Sequence, residues 1–300
     1  MKKYFLLILF LLTIGCATLQ IPRFQQEKQI SVGRGIKMEF VQNMPPSEIK
    51  GPFRVGLKFT NNNPIEITGN LNLRDVASYQ GFEDINQPVY LEPALVEYSE
   101  PDQRTGEPVI KSYTPSSKFE DFGTIKYVDI LQGATTQFIA EFNFDYTSNL
   151  NAPICIASFG SRTISCPTNE IISGSRLGLE NQFAPIVTSV TKKASSSTPG
   201  QALLELEINL DNVGGGELKG SDFLIANINL IGDGTELSCN SQNAVSSSGN
   251  QFEMQLTNNK ARINCFADLS FAGDLSVNNL VVSLSYPYRL IANTGIIKVQ

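Results

Sequence analysis

Few side chains in this sequence could carry out catalysis, because its 300 residues include no histidine. A Ser-His-Asp triad, a Cys-His pair and a histidine-ligated metal site are therefore excluded. Adjacent carboxylates at Glu83-Asp84 and Glu120-Asp121 offer the residue types of glycoside hydrolysis, but neighbouring acids are usually solvated surface groups. We predict no catalytic residues and no enzymatic activity.

Two other patterns could bind phosphate or a cation. Glycines 214 to 216 lack the following lysine and Ser/Thr of a P-loop, so we interpret them as a turn. Asp75, Glu83, Asp84 and Asp233 carry oxygen ligands without the spacing of an EF-hand. We predict no metal and no cofactor, with calcium at these acids left as an open alternative.

The first sixteen residues have the layout of an export signal. Lys2 and Lys3 precede an apolar block, residues 4 to 15, that is shorter than the ~20 residues of a spanning helix. Residues 12 to 16, LTIGC, resemble the lipobox of exported lipoproteins, although Thr13 stands where that motif has leucine. The resemblance implies lipid attachment at Cys16 and a location on the outer face of the cell membrane. An ordinary secreted protein and a retained membrane helix are the alternatives.

The other four cysteines are even in number, and export would place them where disulfides persist. Of the three possible pairings we favour Cys155–Cys166 and Cys239–Cys265, which put one bridge in each half of the chain. A zinc site is disfavoured because there is no CxxC spacing and no histidine. Buried free thiols remain an alternative.

The net charge of −6 argues against nucleic-acid binding, which needs a basic surface. Removal of Lys2 and Lys3 with the signal would make the charge −8. The composition, rich in Asn, Ser, Thr and Gly, suits turns and exposed sheet surfaces.

Apolar and polar residues alternate in many short segments, which predicts half-buried strands. Clear examples are residues 53 to 60, 65 to 74, 138 to 146, 204 to 210 and 280 to 286. With no sustained helical period after the signal, we predict an all-β protein of two tandem immunoglobulin-like β-sandwich domains. The predicted divisions are residues 1–16 (signal peptide), 17–33 (tether), 34–184 (domain 1) and 185–300 (domain 2).

Residues 75 to 88 and 99 to 117 interrupt the alternation and predict long surface loops. Tyr79, Phe82 and Tyr113 lie in them and could anchor a protein or glycan partner. The alternative is that these rings fold back and cover their own core.

The segments FRVGLKFTNNNPIEITGNLNLRD and ALLELEINLDNVGGGELKG each place an Asn/Gly turn after an alternating strand. The matching positions are Asn61 to Asn63 in one and Asn212 with Gly214 to Gly216 in the other. The pattern resembles CARDB-type immunoglobulin-like domains of archaeal and bacterial surface proteins. This resemblance implies a cell-surface scaffold or adhesion role and carries over no catalytic residues. A glycan-binding or glycan-processing module and a structural subunit of an envelope complex are the alternatives.

Overall fold

The computed structural model describes residues 33–99, 109–128, 131, 133–159, 166–219, 223–232 and 236–300. These residues belong to one compact unit, residues 32 to 300. Strands dominate the described residues, whose helical elements are a 3₁₀ turn (Gly174–Leu177) and one short helix, α1 (Glu180–Phe183). The predicted all-β sandwich fold is confirmed. The signal peptide, Cys16 and residues 17 to 32 of the tether lie outside the described residues.

The strands are numbered in their order along the chain. Those of the first half are β1 (Ile36–Phe40), β2 (Glu48–Ile49), β3 (Phe53–Asn61), β4 (Ile67–Asp75), β5 (Ile85–Leu91), β6 (Leu95–Tyr98), β7 (Ile110–Thr114), β8 (Ser116–Ile125), β9 (Thr135–Thr136) and β10 (Phe138–Ala157). Those of the second half are β11 (Asn169–Ser173), β12 (Ile186–Thr198), β13 (Gln201–Asn212), β14 (Glu217–Leu218), β15 (Leu224–Ile231), β16 (Ser238–Asn240), β17 (Ala244–Ser248), β18 (Gln251–Met254), β19 (Lys260–Ser270), β20 (Leu275–Asn293) and β21 (Ile297–Val299).

Six strands of the first half have counterparts in the second half, in the same chain order and with the same neighbours. The first set forms β1-β3-β8 and β5-β4-β10, and the second forms β12-β13-β19 and β18-β15-β20. This order matches strands A-B-E and C′-C-F of an immunoglobulin-type sandwich. The structure therefore contains an internal repeat of six strands.

The repeat is also visible in individual hydrogen bonds. Ile36 lies opposite Asn61 in one copy, and Ile186 lies opposite Asn212 in the other. The next residues match as well: Asn62 N–H donates to Gly35 O (3.0 Å), and Val213 N–H donates to Pro185 O (2.8 Å). Ile36 and Ile186 are therefore equivalent positions.

The two copies join through β10 and β20, which pair antiparallel from Ile139 opposite Asn293 to Ala157 opposite Leu275. These two long strands lie at the middle of one eight-stranded sheet that contains strands of both halves. The last strand, β21, returns to the first half, where it pairs with β2 and β9. The sheet thus crosses the predicted boundary at 184/185, and the division into two domains stays a prediction.

The core forms because alternate residues of each long strand face inward, as the period of two requires. Phe59 of β3 packs edge-on against Phe142 of β10, with ring centroids 5.2 Å apart. Where the two copies meet, Tyr146 stacks on Tyr286 at 5.5 Å. Each such fully buried large apolar side chain contributes ~1.5–3 kcal/mol to stability.

The two predicted loop segments are partly wrong. Residues 85 to 88 begin β5, which pairs with β4 and buries Val89 and Leu91. Residues 110 to 114 form β7, which pairs with β6. Both are edge strands, where Pro88 is tolerated and the alternation of side chains is weak.

Candidate interaction surface

Asp75, at the end of β4, organises a group of loops. Its buried carboxylate accepts hydrogen bonds from Ala77 N–H (3.0 Å), from the Tyr127 hydroxyl (2.7 Å) and from the Thr136 hydroxyl. The bond to Ala77 two residues on is a local turn that Asp favours. Burial, and then the bond to Asp75, raise the pKa of Tyr127 well above its ordinary value of 10.0. The Asp75 carboxylate thus accepts three hydrogen bonds, which suits a structural role.

Tyr79 and Phe82 belong to the same loops and point inward. The Tyr79 hydroxyl donates to Thr135 O (3.0 Å), and its ring packs edge-on against Tyr127. Phe82 packs edge-on against the buried Phe138, at 5.2 Å between centroids. The rings of Tyr79 and Phe82 therefore fold back against the protein's own side chains, which is the alternative given for them above.

Backbone hydrogen bonds tie these loops together. Val76 N–H donates to Gln137 O (2.9 Å), and Val128 N–H donates to Gln80 O (2.9 Å). Gly81 has φ +100° and lies against the backbone of Lys126, a place with no room for a side chain. Residues 293 to 296 are held beside these loops, because Thr294 and Phe138 exchange hydrogen bonds and Ile297 pairs with Thr136. We call this set the loop platform: residues 75 to 82, the described residues between 126 and 137, and residues 293 to 296.

The loop platform exposes aliphatic side chains in place of the predicted aromatic ones. The exposed fractions are 54% for Val76, 48% for Val128, 83% for Leu131 and 79% for Ile296. Scattered exposed aliphatic residues are normal, but several on one hydrogen-bonded set of loops favour an interaction surface. They were not predicted because Val128, Leu131 and Ile296 lie outside the two predicted loops, and no local pattern in the sequence shows that these segments come together.

Tyr113 lies elsewhere, on β7. Its hydroxyl donates to Asn62 Oδ1 (2.9 Å), and its ring stacks on Phe183 of α1 at 5.6 Å. Burial raises the pKa of Tyr113. The structure therefore brings Tyr79 and Phe82 into the same group of loops and places Tyr113 beside the Asn61 to Asn63 turn.

The two Asn/Gly turns have the same hydrogen bonds. Asn61 Nδ2 donates to Ile65 O (2.9 Å) and its Oδ1 accepts from Asn63 N–H (2.9 Å). Asn212 Nδ2 donates to Gly216 O (2.8 Å) and its Oδ1 accepts from Gly214 N–H (3.3 Å). The run of glycines is therefore part of a structural turn, as predicted.

A buried tyrosine joins each of these turns. The Tyr146 hydroxyl donates to Asn63 Oδ1 (3.1 Å), and the Tyr288 hydroxyl donates to Asn212 Oδ1 (2.7 Å). Burial raises the pKa of Tyr288 to about 12, although its bonds with Gly216 and Asn212 act in the opposite direction. No local pattern in the sequence pairs these tyrosines with the turns.

The cysteines pair as predicted, Cys155 with Cys166 and Cys239 with Cys265. The first bridge spans 11 residues of sequence and the second spans 26. By the chain-entropy estimate each stabilises the fold by about 3 kcal/mol.

The acids of the two pairs considered for catalysis either form ion pairs or are exposed to solvent. Glu120 forms an ion pair with Lys118 (2.8 Å), and Asp121 forms one with Arg54. Glu83 and Asp84 are exposed. Within the described ranges, no three His, Cys, Asp or Glu side chains come together in a way that could hold a metal ion.

No helix in the described part of the chain has the length and hydrophobicity needed to cross a bilayer. No protein-family model matches the chain, and a search of curated proteins finds no relative. The resemblance to CARDB-type domains and to lipoproteins therefore stays a prediction.

Proposed function

We propose that this protein is a non-enzymatic interaction protein of the cell surface, held to the outer face of the membrane by a lipid on Cys16. Its partner is another surface protein, which docks on the loop platform. The export step is supported by the two disulfides, which persist in oxidising compartments.

The observation that carries the proposal is the group of exposed aliphatic side chains on the loop platform. Hydrogen bonds to Asp75 and between the loops already hold the described part of this surface, so a partner would lose less conformational freedom in ordering it. Leu131 and Ile296 are the most exposed of the group and would contribute most of the apolar area buried on binding.

The test is chemical cross-linking on intact cells with the double variant Leu131→Ser/Ile296→Ser. Truncation of a side chain at the centre of an interface costs ~1 kcal/mol or more, so we expect the yield of cross-linked complex to fall by about tenfold. The thermal midpoint should not change, because both side chains are mostly exposed.

The matched control is Val245→Ser/Val277→Ser, which removes two aliphatic groups of 57% and 59% exposure from β17 and β20. This control should cross-link like the unmodified protein. Equal yields for both double variants would reject the loop platform as the docking surface.

A further inference from the structure

Strand β1 forms a free edge of its sheet. Val41 N–H donates to Gly56 O (2.9 Å) in the register that pairs β1 with β3, so the odd-numbered residues of β1 bond to β3. The even-numbered residues Ile36, Met38 and Phe40 therefore turn their N–H and C=O groups to the other side. Among the described residues, no strand pairs with that side of β1.

The free edge ends where the chain is held by other elements. Gly35 N–H donates to Phe183 O (2.7 Å), and Val41 O accepts from Met44 N–H (2.9 Å). These bonds lie just before β1 and just after it. The available edge is therefore the five residues of β1, with Met38 at their centre.

Three other edge strands have features that oppose pairing with another chain. β5 contains Pro88, and β16 is only three residues long. β8 places Lys118 and Glu120 opposite fully buried residues of β3, so charged side chains lie on its core side. β1 has neither a proline nor a charge on its core side, so its edge can still accept a strand.

The second copy of the repeat shows that this edge has room for an added strand. β12, the counterpart of β1, pairs antiparallel with β11 on the equivalent side. Ala194 N–H donates to Thr168 O (2.8 Å), so the even-numbered residues of β12 face β11. In the first copy, the space beside β1 is an open slot of about 460 Å³ whose lining includes Met38, Phe40 and Ile291.

The side chains of β1 are complementary to a second β1. Lys37 and Glu39 are both exposed and flank Met38. When two β1 strands pair antiparallel about a two-fold axis at Met38, Lys37 of each chain lies directly opposite Glu39 of the other. On the core side, Ile36 then lies beside the partner's Phe40, an aromatic–β-branched pair of the kind that stabilises sheets.

Neighbouring registers lose this agreement. The free backbone groups are used only where even-numbered residues pair with even-numbered ones. An axis at residue 37 would place lysine opposite lysine, and an axis at residue 39 would place glutamate opposite glutamate. Like charges directly opposite one another are destabilising. The axis at Met38 combines opposite charges with pairing along the entire strand.

We propose that β1 is a dimerisation edge whose partner is β1 of a second copy of this chain. The two three-stranded sheets, β1-β3-β8 of each copy, then join into one continuous sheet. An interface formed by the same patch on both subunits is the usual form of a two-fold dimer. β1 lies outside the loop platform, so this inference goes beyond the proposed function and does not depend on it.

The test is sedimentation equilibrium of the full chain in a density-matched detergent, with micelles in excess over protein. The unmodified chain should dimerise. Lys37→Glu and Glu39→Lys each place like charges opposite one another twice in the dimer, so each should raise the dimer Kd about tenfold. An equimolar mixture of the two variants pairs opposite charges again and should dimerise like the unmodified chain.

The matched control is Lys260→Glu, which reverses an exposed charge on β19 and should leave the dimer Kd unchanged. Glu39→Lys also removes an exposed ion pair with Lys58 (4.0 Å), but Lys37→Glu leaves that pair in place. Weakening by both variants therefore does not come from loss of the Lys58 contact.

An unmodified chain that stays monomeric, a dimer that neither reversal weakens, or a loss that the mixture does not restore would each overturn the proposal. A monomer whose Met38 amide resists hydrogen exchange would assign the edge to another segment or partner, and would overturn it as well. None of these results concerns the loop platform, so the two proposals can fail separately.

Discussion

Lys192 is a lysine with no solvent exposure inside a β-sandwich. Its Nζ donates to Cys155 O (2.8 Å) on β10 and forms an ion pair with Glu170 (3.2 Å) on β11. Arg176 forms a second ion pair with the same carboxylate. A buried ammonium is tolerated only with such partners, so these contacts hold β10, β11 and β12 together.

The first prediction concerns Glu170. Burial by itself would raise the pKa of Glu170, but the hydrogen bonds from Arg176 and Lys192 outweigh it and hold the pKa below the ordinary 4.5. A lowered folded pKa gives stability that is full above pH 4.5 and is lost as the pH falls through the folded value. Glu170→Gln should therefore cost about 3 kcal/mol near neutral pH, because it leaves the buried Lys192 without its carboxylate partner, and less near pH 3.

Urea unfolding of Glu170→Gln and the unmodified protein at the two pH values measures this difference. Glu97→Gln, at an exposed position, is the control and should leave stability within about 0.5 kcal/mol. A Glu170→Gln cost that stays the same at both pH values would mean that the ion pairs are not its source.

At the scale of elements, the equivalent turns after β3 and β13 are the most regular feature. Each uses an asparagine side chain in place of backbone hydrogen bonds, and each is joined by a buried tyrosine from β10 or β20. These bonds connect the two layers of each sandwich at the point where the chain passes between them.

The second prediction is that Asn212→Ala destabilises the fold by about 3 kcal/mol. The substitution removes the bonds to Gly214 and Gly216 and leaves the buried Tyr288 hydroxyl without its acceptor. The exposed Asn229→Ala on β15 is the matched control and should cost under about 0.5 kcal/mol.

Urea unfolding of Asn212→Ala, Tyr288→Phe and the double variant completes a mutant cycle. The two costs should fall short of additive by about 1 kcal/mol or more, since the residues share a hydrogen bond. Simple additivity would contradict the direct coupling.

The long strands and the two turns could be predicted from the sequence, because local patterns of residue types control them. Alternation located the long strands such as β3, β4 and β13, and the Asn and Gly types located both turns. It failed at β5 and β7 because edge strands are only half buried and their pattern is faint. It also missed the Tyr146 and Tyr288 partners, because contacts between residues more than seventy positions apart leave no trace in local spacing.

Local sequence also did not determine which side chains the candidate surface exposes. Tyr79, Phe82 and Tyr113 have the residue types of binding anchors, but whether a ring faces solvent depends on what the rest of the chain places beside it. Asp75, Tyr127 and Phe138 turn the first two inward. Lys192 could have been noticed, since alternation places it on the same face as Val190.

At the scale of the whole molecule, the sharing of β10 and β20 determines how stability is distributed. In tandem domains joined by a linker, each core unfolds by itself. Here the end of β10 and the start of β20 pack in the second copy, while the other ends of both strands pack in the first. Unfolding of either copy removes backbone partners from the other.

The last prediction follows from this sharing: residues 33 to 300 should unfold in a single cooperative transition. Phe59→Ala in the first copy and Leu206→Ala in the second each empty a fully buried site and should cost ~3–5 and ~2–5 kcal/mol. Scanning calorimetry should show that either substitution moves the entire transition to lower temperature, with equal calorimetric and van't Hoff enthalpies. Two resolved transitions, of which Phe59→Ala moved only one, would instead mean that the copies are independent domains despite their common sheet.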